Sequence, residues 1–372
     1  MHLSRRQRKY LNRQSIRQQK KENFIKEYDN FENLSNYYNL YLSSEQAARH
    51  VSWKLSVQKF NENGLIKTYN LHKKLLKGED IRTGFITFPC FERGKTRIIR
   101  AVHFSERIVQ KTLCREILYP VYTHYVIEDN YANQKYKGIS YAMERFNKYL
   151  HNMIRENGRN GYILFIDFKN YFGSIPHDKL KEMYRTFFKD KKILHYLDLF
   201  VDAYGDIGLG LGSETSQLHG MMFGTKLDHF IKEKLQIKYY GRYMDDSYII
   251  HKDKSELIKI KEAVIEKAKE FGITVNLKKT KIKDLKHGFT YLKTRYYITK
   301  TGKIIKRALR YNIAKERKKL IKLIKIDDLD TNTIYKYLND WVGSTLKKNK
   351  NSRLSVWKVK QEIKELLKHR PS

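Results

Sequence analysis

The chain has 372 residues, with 76 Lys and Arg against 40 Asp and Glu, and a formal net charge of +36. This excess predicts a polyanionic partner, and nucleic acid is favoured over a membrane because no stretch approaches the roughly 18 apolar residues of a spanning helix. The first residues lack the apolar core of a secretion signal, so we expect a cytoplasmic protein. The only two cysteines, Cys90 and Cys114, form no CxxC motif, and in a reducing cytosol we expect both to be buried thiols.

Hydrophobic spacing predicts both helices and strands. Residues 1–35 are predicted to form a basic helical arm, residues 34–76 short helices, and residues 86–104 two strands joined at Arg93-Gly94. Further helices are predicted at 106–118, 139–158, 178–188, 192–204, 216–236, 255–271 and within 310–370. Further strands are predicted at 161–168, 273–276 and 288–306, with a hairpin at 238–251.

Two adjacent carboxylates, Asp245 and Asp246, fall at the turn of the predicted hairpin within IKYYGRYMDDSYIIHKD. Neighbouring carboxylates repel unless a cation lies beside them. A pair of Mg²⁺ ions is a common solution, and sites with two metal ions catalyse in-line displacement reactions at phosphorus. Asp167, at the end of the apolar strand GYILFIDF, supplies a third carboxylate. The alternative interpretation is a solvated Asp-Asp turn.

FIDFKNYFGSIPH and YMDD resemble the first and third palm motifs of reverse transcriptases, in the order of that family. The resemblance covers roughly residues 50–345 and is closest to the bacterial group II intron-like lineage, with its retron, diversity-generating and phage-defence enzymes. It implies an α+β, right-hand polymerase with a basic extension (1–35), fingers and part of the palm (36–160), palm (161–300) and helical thumb (301–372). We expect Trp341 and Trp357 to anchor the core of the C-terminal helices.

The resemblance also implies the roles of individual residues. Asp167 and Asp245 would bridge two Mg²⁺ ions with the carbonyl of Phe168, Asp246 would be a weaker ligand, and Lys279 of NLKKTKI would protonate pyrophosphate. The implied dNTP-binding residues are Lys95, Arg97, Arg100, Phe172 and Gln217, with Phe172 as an aromatic gate against a 2′-OH. The implied nucleic-acid-binding residues are Gln134, Lys135, Lys137, Gly212, Tyr243 and Lys293.

Three segments depart from the family pattern. Gly210 stands where proline is usual, residues 134–137 replace an Arg-Pro-Gly run, and Leu292-Lys293 replaces a common Leu-Gly. The expected function is RNA-directed DNA synthesis from dNTPs, yielding cDNA from a structured non-coding RNA in antiphage defence. The alternatives are a diversity-generating reverse transcriptase and a non-catalytic, maturase-like RNA-binding protein. The sequence leaves the priming mode and the oligomeric state open.

Overall fold

The computed structural model describes residues 5–92, 95–326 and 329–370. Its contacts divide the chain into two compact units, each assembled from three separate stretches of sequence. The first unit comprises residues 1–135, 168–236 and 264–276, and the second comprises residues 136–167, 237–263 and 277–372. The four consecutive regions predicted from the sequence (extension, fingers, palm and thumb) are functional divisions, whereas these units are defined by contacts. The predicted division therefore stays a prediction.

Helices and antiparallel strands are interspersed along the chain, which confirms the predicted α+β class. The helices are α1 (Arg5–Tyr28), α2 (Phe31–Ser35), α3 (Tyr37–Ala48), α4 (Leu55–Asn61), α5 (Gly64–Lys77), α6 (Phe104–Leu113), α7 (Tyr119–Tyr125), α8 (Ile139–Asn157), α9 (His177–Arg185), α10 (Lys191–Asp202), α11 (Glu214–Phe223), α12 (Thr225–His229), α13 (Lys254–Glu270), α14 (Arg310–Ile324), α15 (Thr331–Lys348) and α16 (Arg353–Lys368). The strands are β1 (Phe85–Glu92), β2 (Lys95–Val102), β3 (Tyr162–Asp167), β4 (Tyr240–Tyr243), β5 (Asp246–His251), β6 (Lys281–Asp284), β7 (Phe289–Tyr291), β8 (Thr294–Ile298) and β9 (Ile304–Ala308). Among these described residues, every helix is too short or too polar to cross a bilayer.

The first unit combines a β-hairpin with a group of helices. Strands β1 and β2 pair in antiparallel register, as predicted, while the predicted turn Arg93-Gly94 lies outside the described residues. Helix α6 follows the hairpin and packs against α3 and α11. Its apolar residues recur at helical spacing, and Ile108, Val109 and Leu113 are fully buried. The buried face of α6 therefore helps to hold α3 and α11 in place.

In the second unit, a four-stranded antiparallel sheet has the order β4-β5-β3-β6. Strand β3 lies between β5 and β6, so both of its edges are paired, and side chains on both of its faces are buried. This position explains why its sequence is a continuous apolar run, in which Ile163 and Leu164 are fully buried. The run ends at Asp167, the first acidic residue after the buried segment.

The second unit also contains the three-stranded sheet β7-β8-β9 and the helices α14, α15 and α16. These helices enclose a small apolar cluster made of Leu320, Ile334, Leu338, Val359, Ile363 and Leu367. Trp341 packs against this cluster, as predicted, but the prediction for Trp357 was wrong, because its side chain is 55% exposed. Val356 is the buried residue at that turn of α16, and the next position points about 100° away from it.

Three further predictions were wrong in detail. The helix expected at 216–236 ends at Phe223, resumes at Thr225 and finishes in a π-helical turn, Phe230–Lys234. Gly224 has the low helix propensity that favours such a break. Residues 273–276 form no strand, and Val275 makes a single bridge with Phe168. Cys90 is exposed, because it lies on a hairpin that its own unit leaves largely uncovered.

Candidate active site

The ends of two adjacent strands in the second unit bring carboxylates together. Asp167 closes β3, Asp246 opens β5, and the two residues are direct partners in the antiparallel register. Side chains of direct cross-strand partners lie on the same face of a sheet, with Cβ atoms roughly 5 Å apart. Asp245 immediately precedes Asp246 in the connection from β4 to β5. The predicted third carboxylate, Asp167, therefore lies opposite Asp246, and the joint role of the three carboxylates stays a prediction.

The connection that carries Asp245 is a two-residue turn closed by the pair Tyr243↔Asp246. Met244 adopts a left-handed backbone conformation there, with φ of 55°. Arg242 is completely buried, and its Nη1 donates a hydrogen bond to the Met244 carbonyl oxygen at 3.1 Å. A fully buried arginine thus supports the turn that presents the carboxylates. Sequence analysis missed it, since an arginine in an alternating strand resembles a surface residue.

The Lys279 side chain forms an ion pair with Asp167. Its Nζ is 3.0 Å from the Asp167 Oδ2, and the Asp167 side chain is only 15% exposed. The Asp167 backbone N–H also donates to the hydroxyl of Thr280 at 3.3 Å. The predicted lysine is therefore brought to the carboxylate site, where it compensates part of the negative charge.

An aromatic layer lies on the same face of the sheet as the carboxylates. Phe165 and Tyr248 are direct partners two residues from Asp167 and Asp246, so side-chain alternation puts all four on one face. The ring centroids of Phe146 and Tyr291 lie 4.5 Å apart, and those of Tyr291 and Tyr248 lie 5.1 Å apart. Burial, followed by the nearby Tyr248 and Asp246, raises the pKa of the Tyr291 phenol well above its usual value. The carboxylates thus border a layer of uncharged aromatic side chains.

The donor set fits Mg²⁺ in chemistry. Where the structure describes the chain, no three His, Cys, Asp or Glu side chains converge closely enough to hold an ion alone. Protein Mg²⁺ sites need only one or two carboxylates, since water and substrate phosphates supply the remaining oxygens. Asp167 already attracts a cation, the ammonium of Lys279. Asp167 is therefore suited to an ion that the substrate helps to bind, and the contribution of Asp245 and the number of ions stay predictions.

The first unit holds the residues that follow Asp167 in sequence. Phe168 is buried and bridges Val275, and its proposed metal-binding carbonyl stays a prediction. A 3₁₀ turn at Tyr171–Ser174 then presents Phe172. A Cβ added to Gly220 would lie 2.8 Å from the Phe172 ring, so this glycine leaves space for the aromatic side chain. The candidate gate, Phe172, therefore packs against α11.

Other predicted nucleotide contacts are also in the first unit. Gln217 of α11 accepts hydrogen bonds from the Asn133 side chain through its carbonyl oxygen at 2.9 Å and its Oε1 at 3.4 Å. Gly212 precedes α11 with φ of 108°. Arg97 and Arg100 are exposed, but strand alternation points them to opposite faces of the hairpin. The hairpin therefore does not gather its arginines on one face, and the side chain of Lys95 lies outside the described part.

The predicted template contacts lie in surface segments. Gln134 donates to the Asn130 carbonyl oxygen at 2.6 Å, and the Lys135 ammonium lies over the Tyr119 ring. In the second unit, the Lys137 ammonium lies over the Tyr141 ring. Lys293 is exposed at the tip of the β7–β8 hairpin, and Tyr243 flanks the carboxylate turn. Their nucleic-acid-binding roles stay predictions.

The family described as reverse transcriptase (RNA-dependent DNA polymerase) matches residues 83–295, more than half of the chain and all of its candidate catalytic residues. No curated protein matches the chain.

Solved telomerases are also similar to this chain. Apo telomerase from Candida tropicalis, truncated from its C-terminal domain, matches at 15% identity and a TM-score of 0.47, over 65% of this chain and 59% of that one. Telomerase from Candida albicans, in complex with a TWJ fragment of telomeric RNA, matches at 11% identity and a TM-score of 0.45, over 80% of this chain and 65% of that one. The chain thus spans less than two thirds of the length of either telomerase chain.

Proposed function

The chain belongs to the reverse transcriptase family of RNA-dependent DNA polymerases, a class of nucleotidyltransferases, and we propose that it copies RNA into DNA at Asp167, Asp245 and Asp246. The observation that carries this proposal is the register of β3 against β5, which places two of these carboxylates side by side and the third in the adjoining turn. All three lie within the part of the chain that matches the family.

The proposed reaction transfers a nucleotide to a primer. The primer 3′-oxygen attacks the α-phosphorus of a dNTP, a new phosphodiester bond forms, and the bond to pyrophosphate breaks. Reverse transcriptase domains use divalent ions, typically Mg²⁺, which would here lower the pKa of the 3′-OH and neutralise charge on the triphosphate. We propose two ions per site, held by Asp167 and Asp245 with Asp246 and the Phe168 carbonyl contributing.

The protein groups position these reactants. The Lys279 ammonium at 3.0 Å from Asp167 would hold this carboxylate while the site is empty, and would be released toward the leaving pyrophosphate once substrate binds. Arg242 would keep the Met244 turn in place during this exchange through its hydrogen bond to the Met244 carbonyl oxygen. Phe172 would lie beneath the sugar and favour dNTP over NTP.

The test uses the purified chain, an RNA template, a DNA primer, dNTPs and Mg²⁺. Asp245→Asn should lower the rate of DNA synthesis by roughly a hundred-fold or more, because it removes a charge that positions the ions. RNA affinity should be unchanged. Asp340→Asn is the matched control, since Asp340 is an exposed carboxylate on α15 of the same unit. Full synthesis by Asp245→Asn, or none by the wild type, would contradict the assignment.

For the biological role, we propose a dedicated structured non-coding RNA as template and antiphage defence as the outcome. The net charge of +36 supports a long polyanion as partner, and the resemblance to group II intron-like enzymes suggests the role. Sequencing the RNA that copurifies with the chain tests this proposal. One dominant RNA, copied into a defined DNA, would support it. A bound transcript from a variable-repeat target gene would favour a diversity-generating element, and bound RNA without synthesis a maturase-like helper.

A further inference from the structure

A glycine-rich segment of the first unit, residues 205–212, runs beside the turn that carries Phe172. The Leu209 N–H donates to the Phe172 carbonyl oxygen at 2.7 Å, and the Gly208 N–H donates to the Ile175 carbonyl oxygen at 2.8 Å. These two backbone hydrogen bonds fasten the candidate gate to the glycine-rich segment.

Gly208 allows the two backbones to come this close. Its φ is 91°, and a Cβ added to it would lie 3.0 Å from the Gly173 carbonyl oxygen. The buried His177 holds the same residue from its other polar group, because its Nε2 lies 2.7 Å from the Gly208 carbonyl oxygen. A shift of the glycine-rich segment would therefore displace the turn that carries Phe172, since closely packed groups transmit such movements.

The ring of Tyr204 occupies the space beside the buried Gly210. A Cβ added to Gly210 would overlap Cε1 and Cζ of this ring. Proline, which is usual at this position in the family, also carries a Cβ, so the ring excludes it. The departure from the family pattern thus has a physical reason: an aromatic ring from six residues earlier fills the space that a side chain at residue 210 would take.

Tyr204 is itself held by two other elements of the first unit. Its ring centroid lies 4.9 Å from that of Phe85, the first residue of β1. Its backbone N–H donates to the Val201 carbonyl oxygen at 3.1 Å, at the end of α10. The ring is therefore anchored independently of the glycine-rich segment that it contacts.

We propose that Tyr204 is a positioning residue for Phe172. Its ring holds the glycine-rich segment at Gly210, and the hydrogen bond from Leu209 passes this constraint to the gate. The proposal rests on the proposed function, in which Phe172 favours dNTP over NTP. It goes beyond that function, because Tyr204 is not among the residues whose roles the resemblance implies.

Hydrogen–deuterium exchange of the glycine-rich segment tests the positioning without any turnover. Tyr204→Ala leaves space beside Gly210, so the amides of Gly208 and Leu209 should exchange roughly ten-fold faster. Tyr204→Phe keeps the ring and should exchange as the wild type does. Tyr38→Ala removes an exposed tyrosine of the same unit and is the matched control. Unchanged exchange in Tyr204→Ala overturns the proposal.

The ratio of rATP to dATP incorporation then tests the effect on the gate. Tyr204→Ala should raise this ratio roughly five-fold, because a displaced Phe172 excludes a 2′-OH less well. A purely structural role would lower both rates equally, so an unchanged ratio overturns the link to the gate. Absence of DNA synthesis by the wild type would contradict the proposed function instead, and the exchange measurement does not depend on synthesis.

Gly210→Ala tests the same contact if Tyr204→Ala does not fold. The new Cβ would push the Tyr204 ring aside, so exchange at Leu209 should again be faster and the rATP to dATP ratio higher. Gly64→Ala is the matched control, since a Cβ added there meets no atom within 4 Å. Exchange and selectivity in Gly210→Ala equal to those of the wild type would overturn the proposal.

Discussion

Glu106 is a carboxyl group that is buried among polar side chains of the first unit. Burial raises its pKa from 4.5 to about 7, although the hydrogen bond from Gln110 and the charge of Arg82 oppose this rise. The folded state therefore binds a proton more tightly than the unfolded state does. The stability that this proton provides is complete below pH 4.5 and is lost as pH rises through about 7.

We predict that Glu106→Gln flattens this part of the pH dependence of stability. The shift from 4.5 to about 7 corresponds to a stability loss in the wild type of up to about 3 kcal/mol. Glutamine cannot ionise, and its Oε1 can still accept the hydrogen bond from Gln110. Urea unfolding at pH 5 and pH 8 measures the difference. The same loss of stability in both proteins would show that Glu106 is not the titrating group.

Phe172 is the second residue with a specific prediction. Phe172→Ala should increase ribonucleotide incorporation on the order of ten- to a hundred-fold, because the side chain that would exclude a 2′-OH is removed. Gly220→Ala tests the same gate without removing the ring, since the new Cβ would lie 2.8 Å from the Phe172 ring and displace it. The ratio of rATP to dATP incorporation is the measurement, with exposed Phe88→Ala as control. Unchanged discrimination in both variants would contradict a gate at Phe172.

At the scale of single residues, sequence analysis identified the charged residues that stand in a recognisable motif. It missed the charged residues whose importance comes from being buried. Asp245 and Asp246 are conspicuous because they interrupt an apolar segment. Arg242 and Glu106 resemble ordinary surface charges in the sequence, and only packing shows that Arg242 is 0% and Glu106 2% exposed. Burial depends on contacts between distant parts of the chain, and periodicity within one element does not report them.

At the scale of elements, the β7–β8 hairpin has an unusual turn. Leu292 and Lys293 have φ of 41° and 64°, so both adopt the left-handed conformation that such two-residue turns require. Residues with a side chain pay a steric cost there that glycine does not. Sequence analysis noted the missing glycine, and the backbone now shows its physical consequence. The chain keeps a cation at the hairpin tip at some cost in stability.

Lys293→Gly should therefore stabilise the protein by about 1 kcal/mol while weakening its binding to a primer–template duplex. Thermal unfolding and equilibrium binding measure the two effects. Leu292→Asn is the matched control, because asparagine tolerates the left-handed conformation and the Lys293 charge is retained. A loss of stability in Lys293→Gly would mean that the turn is not strained, and unchanged duplex affinity would remove Lys293 from the contact surface.

Sequence analysis predicted the helices and strands that have a strong local hydrophobic pattern. It did not predict where an element is interrupted or shortened. The strand ending at Asp167 and the hairpin around Asp245 have alternating or continuous apolar residues bounded by turns, and both are present. The helix expected at 216–236 is divided at Gly224, and the strand expected near Val275 is one bridge. Helix propensity and short apolar runs are weak signals that tertiary contacts override.

At the scale of the whole molecule, the charge of +36 predicts binding that depends steeply on salt. Each phosphate neutralised on a single strand should contribute about −0.7 to the slope of log K against log salt. Lys315 and Lys318 are exposed on α14, within the Lys-rich segment KERKKLIKLIK. Replacing both with glutamine should reduce the slope by about 1.4 if both contact phosphates. A flat titration for the wild type would argue against an extensive nucleic-acid track.

Composition predicts a nucleic-acid partner, but it carries no information on how the chain divides into compact units. Each unit takes up three separate stretches, and the boundary between residues 167 and 168 falls directly after Asp167. Such interleaving depends on strand pairing between distant segments, for example β3 with β5 and β6. Reading the chain from one end to the other favours consecutive regions, because local patterns carry no information about these pairings.

Single-nucleotide extension of a DNA primer on RNA templates that differ only in the next base tests the central claim most directly. With Mg²⁺ and all four dNTPs, we predict that the added nucleotide is always the complement of that RNA base. Addition that depends on the carboxylate of Asp245 and follows the RNA base would establish RNA-directed DNA synthesis at this site. Addition of the same nucleotide on every template, or an equal rate with Asp245→Asn, would contradict it.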